Sequence, residues 1–377
     1  MKTVYLDNAA TTKIDSEVIE YMANSMSDNF GNPSSTHQHG RKAKTAVESA
    51  RKNIANCFNV TASEIIFTAG GTEADNLILQ NAVSNLDVTR IITSKIEHHA
   101  VLHTCHFLEK DSQVQIEYVK LDTNGQIDLD NLELLLANSN SKTLVSLMHI
   151  NNEIGNILPL QEVANLCRKY NALFHSDTVQ TIGHYKLDLR EIPIDFITCS
   201  AHKFHGPKGV GFAYFKKGFG IKPLFYGGDQ EQGARSSTEN VHSILGMDKA
   251  LKIAYSNLEK DSKEIKEIKK YFIEQLNFIF DNVFFNGLSG ELKSSTYTIV
   301  NARFPIKNDM LLFSLDMFGI ATSGGSACQS GSNKGSHVLD EILNEDEANA
   351  TSMRFSFSKY TTKEEIDFTI IKLKELL

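Results

Sequence analysis

The stretch CSAHKFHGPKGVG, residues 199–211, carries the strongest signal in this sequence. An apolar run, Phe196–Cys199, ends where the stretch begins, and Lys203 follows it among serine, histidine and glycine residues. A lysine that forms a Schiff base must reach a buried aldehyde and lose its proton, and small neighbours let a phosphate approach the backbone. Most loop lysines are simply solvated, and composition alone favours that interpretation. The motif as a whole favours a lysine that binds a cofactor.

Strand-like apolar runs surround this stretch on both sides. They are Glu64–Thr68, Arg90–Thr93, Thr143–Met148, Ala172–His175, Phe196–Cys199 and Val210–Phe215. Helix-like stretches such as Gly40–Phe58 and Leu160–Tyr170 lie between several of them. Alternating strands and helices predict an α/β fold with a mainly parallel sheet, whose sites collect at the carboxyl ends of the strands.

The pattern changes from about Ala250 onwards. Apolar residues recur at steps of three and four from Leu258 to Ile279, which predicts one long amphipathic helix. Two strands of a small sheet, Thr296–Asn301 and Met353–Phe357, and a closing helix, Glu364–Leu377, are predicted after it. The predicted domains are a large domain, residues 13–250, and a smaller α+β domain that combines residues 1–12 with residues 251–377.

Composition excludes several classes of protein. With 41% apolar residues and a net charge of −8, the chain has the balance of a globular enzyme, whereas a general nucleic-acid binder is usually basic. No apolar run approaches the roughly 18 residues of a membrane span. The five cysteines are odd in number and lack C-x-x-C spacing, which disfavours a disulfide framework or a four-thiolate metal site. Free thiols suit a reducing compartment, so we expect a cytoplasmic protein without membrane or direct nucleic-acid partners and without a metal.

Two further segments place cofactor-binding chemistry after strands. FTAGGTEADNL, residues 67–77, joins a strand to a helix that starts near Thr72, and free N–H groups at a helix start bind phosphate. FHSDTVQ, residues 174–180, places Asp177 after a strand, where a carboxylate could pair with the ring nitrogen of pyridoxal 5′-phosphate (PLP). Gln180 could donate to the ring oxygen. Taken singly, the first segment is also an ordinary helix start, and Asp177 could equally be a helix cap.

A histidine pair and one cysteine complete the candidate set. EHHAV, residues 97–101, offers a histidine that could stack on a ring and move protons, although such pairs more often lie on the surface or in a satisfied core. SGGSACQSGSNKGS, residues 323–336, predicts a mobile Gly/Ser loop around Cys328. Exposed thiols that can ionise are the reactive ones, and an idle exposed thiol is a liability. We therefore take Cys328 as the functional cysteine.

In this order the motifs resemble the cysteine desulfurases of the class V aminotransferase family, which are fold type I PLP enzymes. The motifs run from YLDNAATT (5–12) and FGNPSSTHQHG (30–40), through the segments above and MHINNEIG (148–155), to MRFSFSKYTTKEEID (353–367). The resemblance covers nearly the whole chain. The SACQSGS segment resembles the group of these enzymes whose cysteine lies on a long flexible loop.

The resemblance implies a role for each matching position in cofactor binding. Lys203 would bond covalently to PLP, and Gly71, Thr72, Ser200 and His202 would bind the PLP phosphate. Asp177 would pair with the ring nitrogen, Gln180 with the ring oxygen, and His98 would stack on the ring and move protons. Thr238 would reach the phosphate of the other subunit, which implies an obligate homodimer.

The resemblance also implies the substrate and the reaction. Arg354, assisted by Asn152, would bind the carboxylate of L-cysteine, since a guanidinium fork suits that group. Lys203 would take the Cα proton, and the Cys328 thiolate would attack the substrate sulfur. The products would be L-alanine and a Cys328 persulfide, whose sulfur would pass to an acceptor protein such as an iron–sulfur scaffold or a tRNA-thiolation protein.

One motif departs strongly from the family pattern; in addition, Ala201 stands where glycine is common, and residues 333–335 replace the common Leu-Glu-Pro. In GGDQEQGARSST, residues 227–238, Asp229 and Ser237 stand where glycines are usual and Gln232 where an arginine is usual, so the intersubunit role of Thr238 is the weakest of the set. Three alternatives stay open. An aminotransferase would not need Cys328, a selenocysteine lyase would use closely similar chemistry, and a non-catalytic sulfur carrier would retain only the fold.

Overall fold

A seven-stranded sheet forms the centre of the computed structural model, which describes residues 3–139, 141–324 and 335–377. After a short strand β1 (Val4–Tyr5), the sheet's strands are β2 (Ile65–Thr68), β3 (Arg90–Thr93), β4 (Gln115–Tyr118), β5 (Thr143–Ser146), β6 (Leu173–Asp177), β7 (Phe196–Ser200) and β8 (Gly211–Phe215). Their order is β2-β8-β7-β6-β5-β3-β4, and only β8 runs antiparallel to its neighbours. The predicted mainly parallel sheet is therefore confirmed.

Helices cover both faces of this sheet, which is why strands such as β2, β5 and β7 are buried along their whole length. The helices before residue 257 are α1 (Ser16–Asp28), α2 (Gln38–Cys57), α3 (Gly71–Ser84), α4 (His99–Ser112), α5 (Leu129–Ala137), α6 (Leu160–Lys169) and α7 (Val241–Ser256). Their apolar faces form two clusters, one on each side of the sheet.

A second, smaller sheet lies in the C-terminal third of the chain. Its strands are β9 (Phe284–Phe285), β10 (Ile299–Phe304), β12 (Ser323–Gly324) and β13 (Thr351–Ser356), in the antiparallel order β12-β13-β10-β9, while β11 (Ile320–Ala321) pairs with β1. The helices here are α8 (Leu258–Ile279), α9 (Leu311–Met317), α10 (His337–Ile342), α11 (Glu345–Ala348) and α12 (Lys363–Leu376). Val4 and Leu6 pack into the core of this part, so the N-terminal segment joins it. The exact division into residues 13–250 and the remainder stays a prediction.

The structure shows where the sequence pattern was a good guide. The predicted strand Arg90–Thr93 has the observed bounds, and the long predicted helix is α8 (Leu258–Ile279). Strand β4 was missed because it is an edge strand, and its four residues QIEY are exposed or half-buried. Over the described ranges, no helix combines the length and the apolar character that a membrane span requires.

Candidate active site

The carboxyl ends of β6 and β7 bring the predicted cofactor residues together. Asp177 is the last residue of β6, Ser200 is the last residue of β7, and Lys203 lies in the turn that follows. These strand ends open into a cavity of about 240 Å³. The predicted residues that line it are Gly71, Thr72, His98, Asn152, Asp177, Gln180, Ser200, His202, Lys203 and Arg354. Two predicted residues are not in this set: Thr238 is exposed on a separate surface segment, and Cys328 lies outside the described residues.

The lysine end of the cavity is built on the N-terminal segment. Lys203 Nζ donates to the carbonyl oxygens of Ala9, at 2.6 Å, and Ala10, at 2.8 Å. Gln180 Nε2 also donates to Ala9 O, at 2.9 Å. The backbone N–H and the hydroxyl of Thr12 both donate to His202 O, which fixes the segment against the Lys203 turn. The segment therefore holds the amine and the amide in place.

The start of α3 forms an anion-binding end. Its N-cap is Gly70, no side chain caps it, and the first intrahelical bond runs from Ala74 N to Gly70 O. The earlier N–H groups of the helix are thus available to a phosphate, which the positive end of the helix dipole also favours. A Cβ on Gly71 would lie 2.8 Å from Val179 Cγ2, so this close approach requires glycine.

The middle of the cavity places a carboxyl opposite an imidazole. Burial, followed by the nearby Asp75 carboxyl, raises the pKa of Asp177 to about 7. One of its oxygens accepts from Val179 N at 2.8 Å. His98 caps α4 by accepting from Ala100 N through Nδ1, at 3.1 Å, and burial together with Lys203 lowers its pKa to about 4. His98 is therefore neutral at physiological pH, with Nε2 as the nitrogen that carries a proton.

The far end holds one buried guanidinium. Arg354 is 2% exposed, and its Nη1 donates to Asn152 O at 2.8 Å. Its Nη2 lies 2.9 Å from Asp7 Oδ1 and 3.2 Å from Ser323 Oγ. Its Nε has no hydrogen-bond partner among the residues that the structure describes. An unsatisfied buried donor on a cation is suited to receive a carboxylate.

Sequence reasoning missed the residues that support this set. Asp7, Ala9 and Ala10 belong to the YLDNAATT motif, which entered the sequence argument only as part of a resemblance. Asp75 belongs to the FTAGGTEADNL motif and lines the cavity. A main-chain carbonyl carries no side-chain signal, so Ala9 and Ala10 could not have been found from residue type.

Comparison with known proteins identifies the family. The model of the aminotransferase class-V family matches residues 4–368. The chain belongs to the class-V aminotransferase family. Among the relatives of this class-V aminotransferase, the cysteine desulfurase IscS of Dictyoglomus turgidum is 42% identical, with 100% of this chain and 95% of that protein covered. The putative cysteine desulfurase IscS 1 of Bacillus subtilis is 40% identical, with 97% and 96% covered.

Solved structures agree with this assignment. A NifS-like protein superposes with a TM-score of 0.91 at 36% identity, with 100% of this chain and 99% of that chain covered. The NifS-like protein of Rickettsia africae has a TM-score of 0.87 at 32% identity, with the same shares covered. This chain therefore groups with the cysteine desulfurases and shares their fold type I architecture.

Proposed function

We propose that this protein is a PLP-dependent cysteine desulfurase that converts L-cysteine to L-alanine and transfers the sulfur to Cys328. The observation that carries the proposal is the convergence of Lys203, Asp177 and Arg354 in one cavity. Arg354 already pairs with Asp7, but its Nε has no hydrogen-bond partner among the described residues and could receive a substrate carboxylate. Asp177 is a buried carboxyl whose raised pKa suits pairing with a cationic ring nitrogen. A non-catalytic carrier would have no need of this arrangement.

The residues present fit PLP. The open N-terminus of α3 at Gly71 suits the phosphate, and Lys203 suits the aldehyde. Asp177, whose pKa burial raises, gains a counter-ion when a protonated ring nitrogen lies beside it. His98 lines the same cavity and provides a flat neutral ring for stacking. When bound, PLP supplies an electron sink for the electrons left on Cα after its proton is removed.

The chain's own groups would then bind the substrate and move the proton. Arg354 would pair with the substrate carboxylate, and the burial of its side chain would strengthen the ion pair. Lys203 Nζ would take the Cα proton, and the carbonyl oxygens of Ala9 and Ala10 would hold the resulting ammonium group. His98, which lines the same cavity, would be the second group able to move a proton, through Nε2.

We assign sulfur transfer to Cys328 because a thiolate is required and because the four other cysteines are poorly suited to the role. Its thiolate would attack the substrate sulfur, so that an S–S bond forms as the C–S bond breaks, leaving alanine and a Cys328 persulfide. Burial raises the thiol pKa of Cys57 to about 11 and of Cys105 to about 12, and it raises those of Cys167 and Cys199 as well. These four thiols are poor nucleophiles at neutral pH. The persulfide sulfur would pass to an acceptor protein in the cytoplasm, such as an iron–sulfur scaffold or a tRNA-thiolation protein.

We also propose a homodimer that completes the phosphate site. A cleft of about 860 Å³ adjoins the cavity and is lined by Gly71, Thr72 and His202 together with the half-exposed Phe225. Tyr226 beside it is 90% exposed. A second subunit that covers this surface could bring its Thr238 to the phosphate. Sedimentation of the purified protein at twice the chain mass would support this arrangement. A monomer that binds PLP with full affinity would contradict it.

The cofactor assignment is tested by chemical trapping. The protein is incubated with PLP, reduced with borohydride, digested and mapped by mass spectrometry. The proposal predicts the pyridoxyl mass on the peptide that contains Lys203, and its loss in Lys203→Ala but not in Lys217→Ala, an exposed lysine after β8. Labelling at another lysine, or no labelling, contradicts the PLP site.

A further inference from the structure

A row of buried polar side chains lies behind Asp177 and has no part in the proposed reaction. Ser146 pairs with His175 between β5 and β6, and Asp177 pairs with Thr198 between β6 and β7. Residues two apart on a strand share a face, so these four side chains point towards the same side of the sheet. Helix α3 packs there and contributes Asp75. Each member other than Asp177 is at most 1% exposed.

The hydrogen bonds of this row run in one direction. Thr198 Oγ1 donates to Asp75 Oδ1 at 2.8 Å, which uses its only proton. It must therefore accept from His175 Nε2, at 3.1 Å. Burial lowers the pKa of His175 to about 4, so its ring is neutral, and Nδ1 then accepts from Ser146 Oγ at 2.9 Å. Every donor points towards Asp75, which ends the chain.

The charges around Asp75 decide its protonation. Asp75 lines the same cavity as His98, Lys203 and Arg354. The titratable groups on the elements that pack against Asp75 are Asp177 and His175 on β6, Glu97 just before α4, and Cys105 on α4. None of these is a cation at neutral pH, and burial raises the pKa of Asp75 to about 7 even before Asp177 ionises. Once a ring cation fixes the negative charge on Asp177, a second negative charge at Asp75 becomes more costly. Asp75 is then expected to hold a proton while Asp177 is ionised.

We propose that Asp75 is a positioning residue that stays protonated while Asp177 is ionised, and that through Thr198 it holds the strand end that carries Asp177. The inference rests on the proposed PLP site. It adds that the Asp177 carboxylate is the one negative charge beside the cofactor ring. The hydrogen-bonded chain of Asp75, Thr198, His175 and Ser146 next to it is neutral. Asp75 acts through Thr198 and His175, and has no assigned contact with the reacting atoms.

An isosteric substitution tests whether Asp75 is neutral or ionised. In Asp75→Asn, the pH midpoint of the visible absorption change of bound PLP should stay within about 0.3 units of wild type, because a neutral group replaces a neutral group. If Asp75 were ionised, the substitution would remove a negative charge near the protonated cofactor and lower the midpoint by about one unit. That lowering would overturn the proposal.

Two further variants test the hydrogen-bonded chain. Thr198→Val keeps the shape of Thr198 but removes its hydroxyl, and Asp75→Ala removes the acceptor. Both should raise the PLP dissociation constant by roughly tenfold, while Asp75→Asn raises it by less than about threefold, since Asn still accepts from Thr198. Thr198→Val serves as the decisive variant if Asp75→Ala does not fold. Equal weakening by Asp75→Asn and Asp75→Ala, or wild-type affinity in Thr198→Val, would contradict the inference.

This experiment also distinguishes failure of the inference from failure of the proposed function. If wild-type protein does not bind PLP, the cofactor site itself is wrong, and Asp75 then has no positioning role. If wild-type protein binds PLP but the Asp75→Asn midpoint falls, the cofactor site stands and only the protonated Asp75 is refuted.

Discussion

Two segments that carry family motifs are held in different ways. The Lys203 turn, residues 199–211, is fixed mainly by backbone hydrogen bonds. Ala201 N donates to Val210 O, Gly206 N donates to Ala201 O, and the N-terminal segment donates to the carbonyls of His202 and His205. Only His205 among its non-glycine residues has a left-handed backbone, with φ 64°.

The segment of residues 227–238 depends instead on side chains. Buried Glu231 binds Arg51 through two bonds of 2.6 and 2.8 Å and also accepts from Phe67 N. Arg235 pairs with Glu73 on α3. Three of its non-glycine residues have left-handed backbones: Glu231, Gln232 and Ser237.

The difference explains where the family pattern is kept and where it is lost. A turn fixed by its own backbone, with a lysine aimed into a cavity, leaves little freedom for change. A segment anchored by two ion pairs, at Glu231 and Arg235, can change at positions between and beside these anchors, as at Asp229, Gln232 and Ser237, although it carries backbone strain. Substitutions in the Lys203 turn should therefore change mainly the catalytic activity. Substitutions in the 227–238 segment should change mainly the stability of the fold.

The largest effect is expected in the first turn. Lys203→Ala should abolish turnover of L-cysteine, because no other group takes both the cofactor aldehyde and the Cα proton. The visible absorption of bound PLP should change as well, while the unfolding temperature of the cofactor-free protein should stay close to wild type. The matched variant Lys217→Ala should keep full activity. Residual turnover above a few per cent in Lys203→Ala would contradict the role of the turn.

The second effect tests the anchor of the 227–238 segment. Glu231→Gln should destabilise the protein by about 3 kcal/mol, since it leaves buried Arg51 with only the half-exposed Glu48 as a paired charge. The measurement is urea unfolding of the cofactor-free protein. Glu48→Gln is the control, because Glu48 also pairs with Arg51 but its side chain is 50% exposed, and its loss should cost less than about 1 kcal/mol. Equal losses in the two variants would show that Glu231 is no special anchor.

The third effect concerns pH and returns to the Lys203 turn. Burial lowers the pKa of His205 to about 4, whereas in the unfolded chain it is about 6.5. Stability from the neutral ring is thus fully present above about pH 6.5 and is lost as pH falls towards 4. Between about pH 7.5 and pH 5, His205 should account for a loss of about 2 kcal/mol. Urea unfolding at both pH values should show a smaller loss of stability in His205→Asn. Asparagine suits the test because it tolerates a left-handed backbone. An unchanged pH dependence would contradict it.

The smallest effect tests strain in the second segment. Ser237 has φ 108°, so Ser237→Gly should stabilise the protein by about 1 kcal/mol. The reverse case is Gly233, with φ 81° and open space around an added Cβ, where Gly233→Ala should destabilise by about 1 kcal/mol. Both are measured by thermal unfolding. A loss of stability in Ser237→Gly would mean that its backbone carries no strain.

The fold followed from the sequence wherever burial was strong. Fully buried strands such as Arg90–Thr93 stand out as apolar runs, whereas the edge strand Gln115–Tyr118 does not. The cavity residues were predicted through motifs, because Lys203 and Asp177 lie at strand ends that parallel topology brings together. Asp75 and the carbonyls of Ala9 and Ala10 could not be predicted, because their importance depends on contacts between distant parts of the chain.

The proposed function depends above all on the transfer of sulfur from L-cysteine to Cys328. The most direct measurement quantifies alanine and sulfide together under anaerobic conditions, with L-cysteine and a reducing thiol, for wild type and Cys328→Ser. We expect equal amounts of both products from wild type and neither from the variant, although the variant still binds PLP. Full sulfide release by Cys328→Ser, or none by PLP-bound wild type, would contradict it.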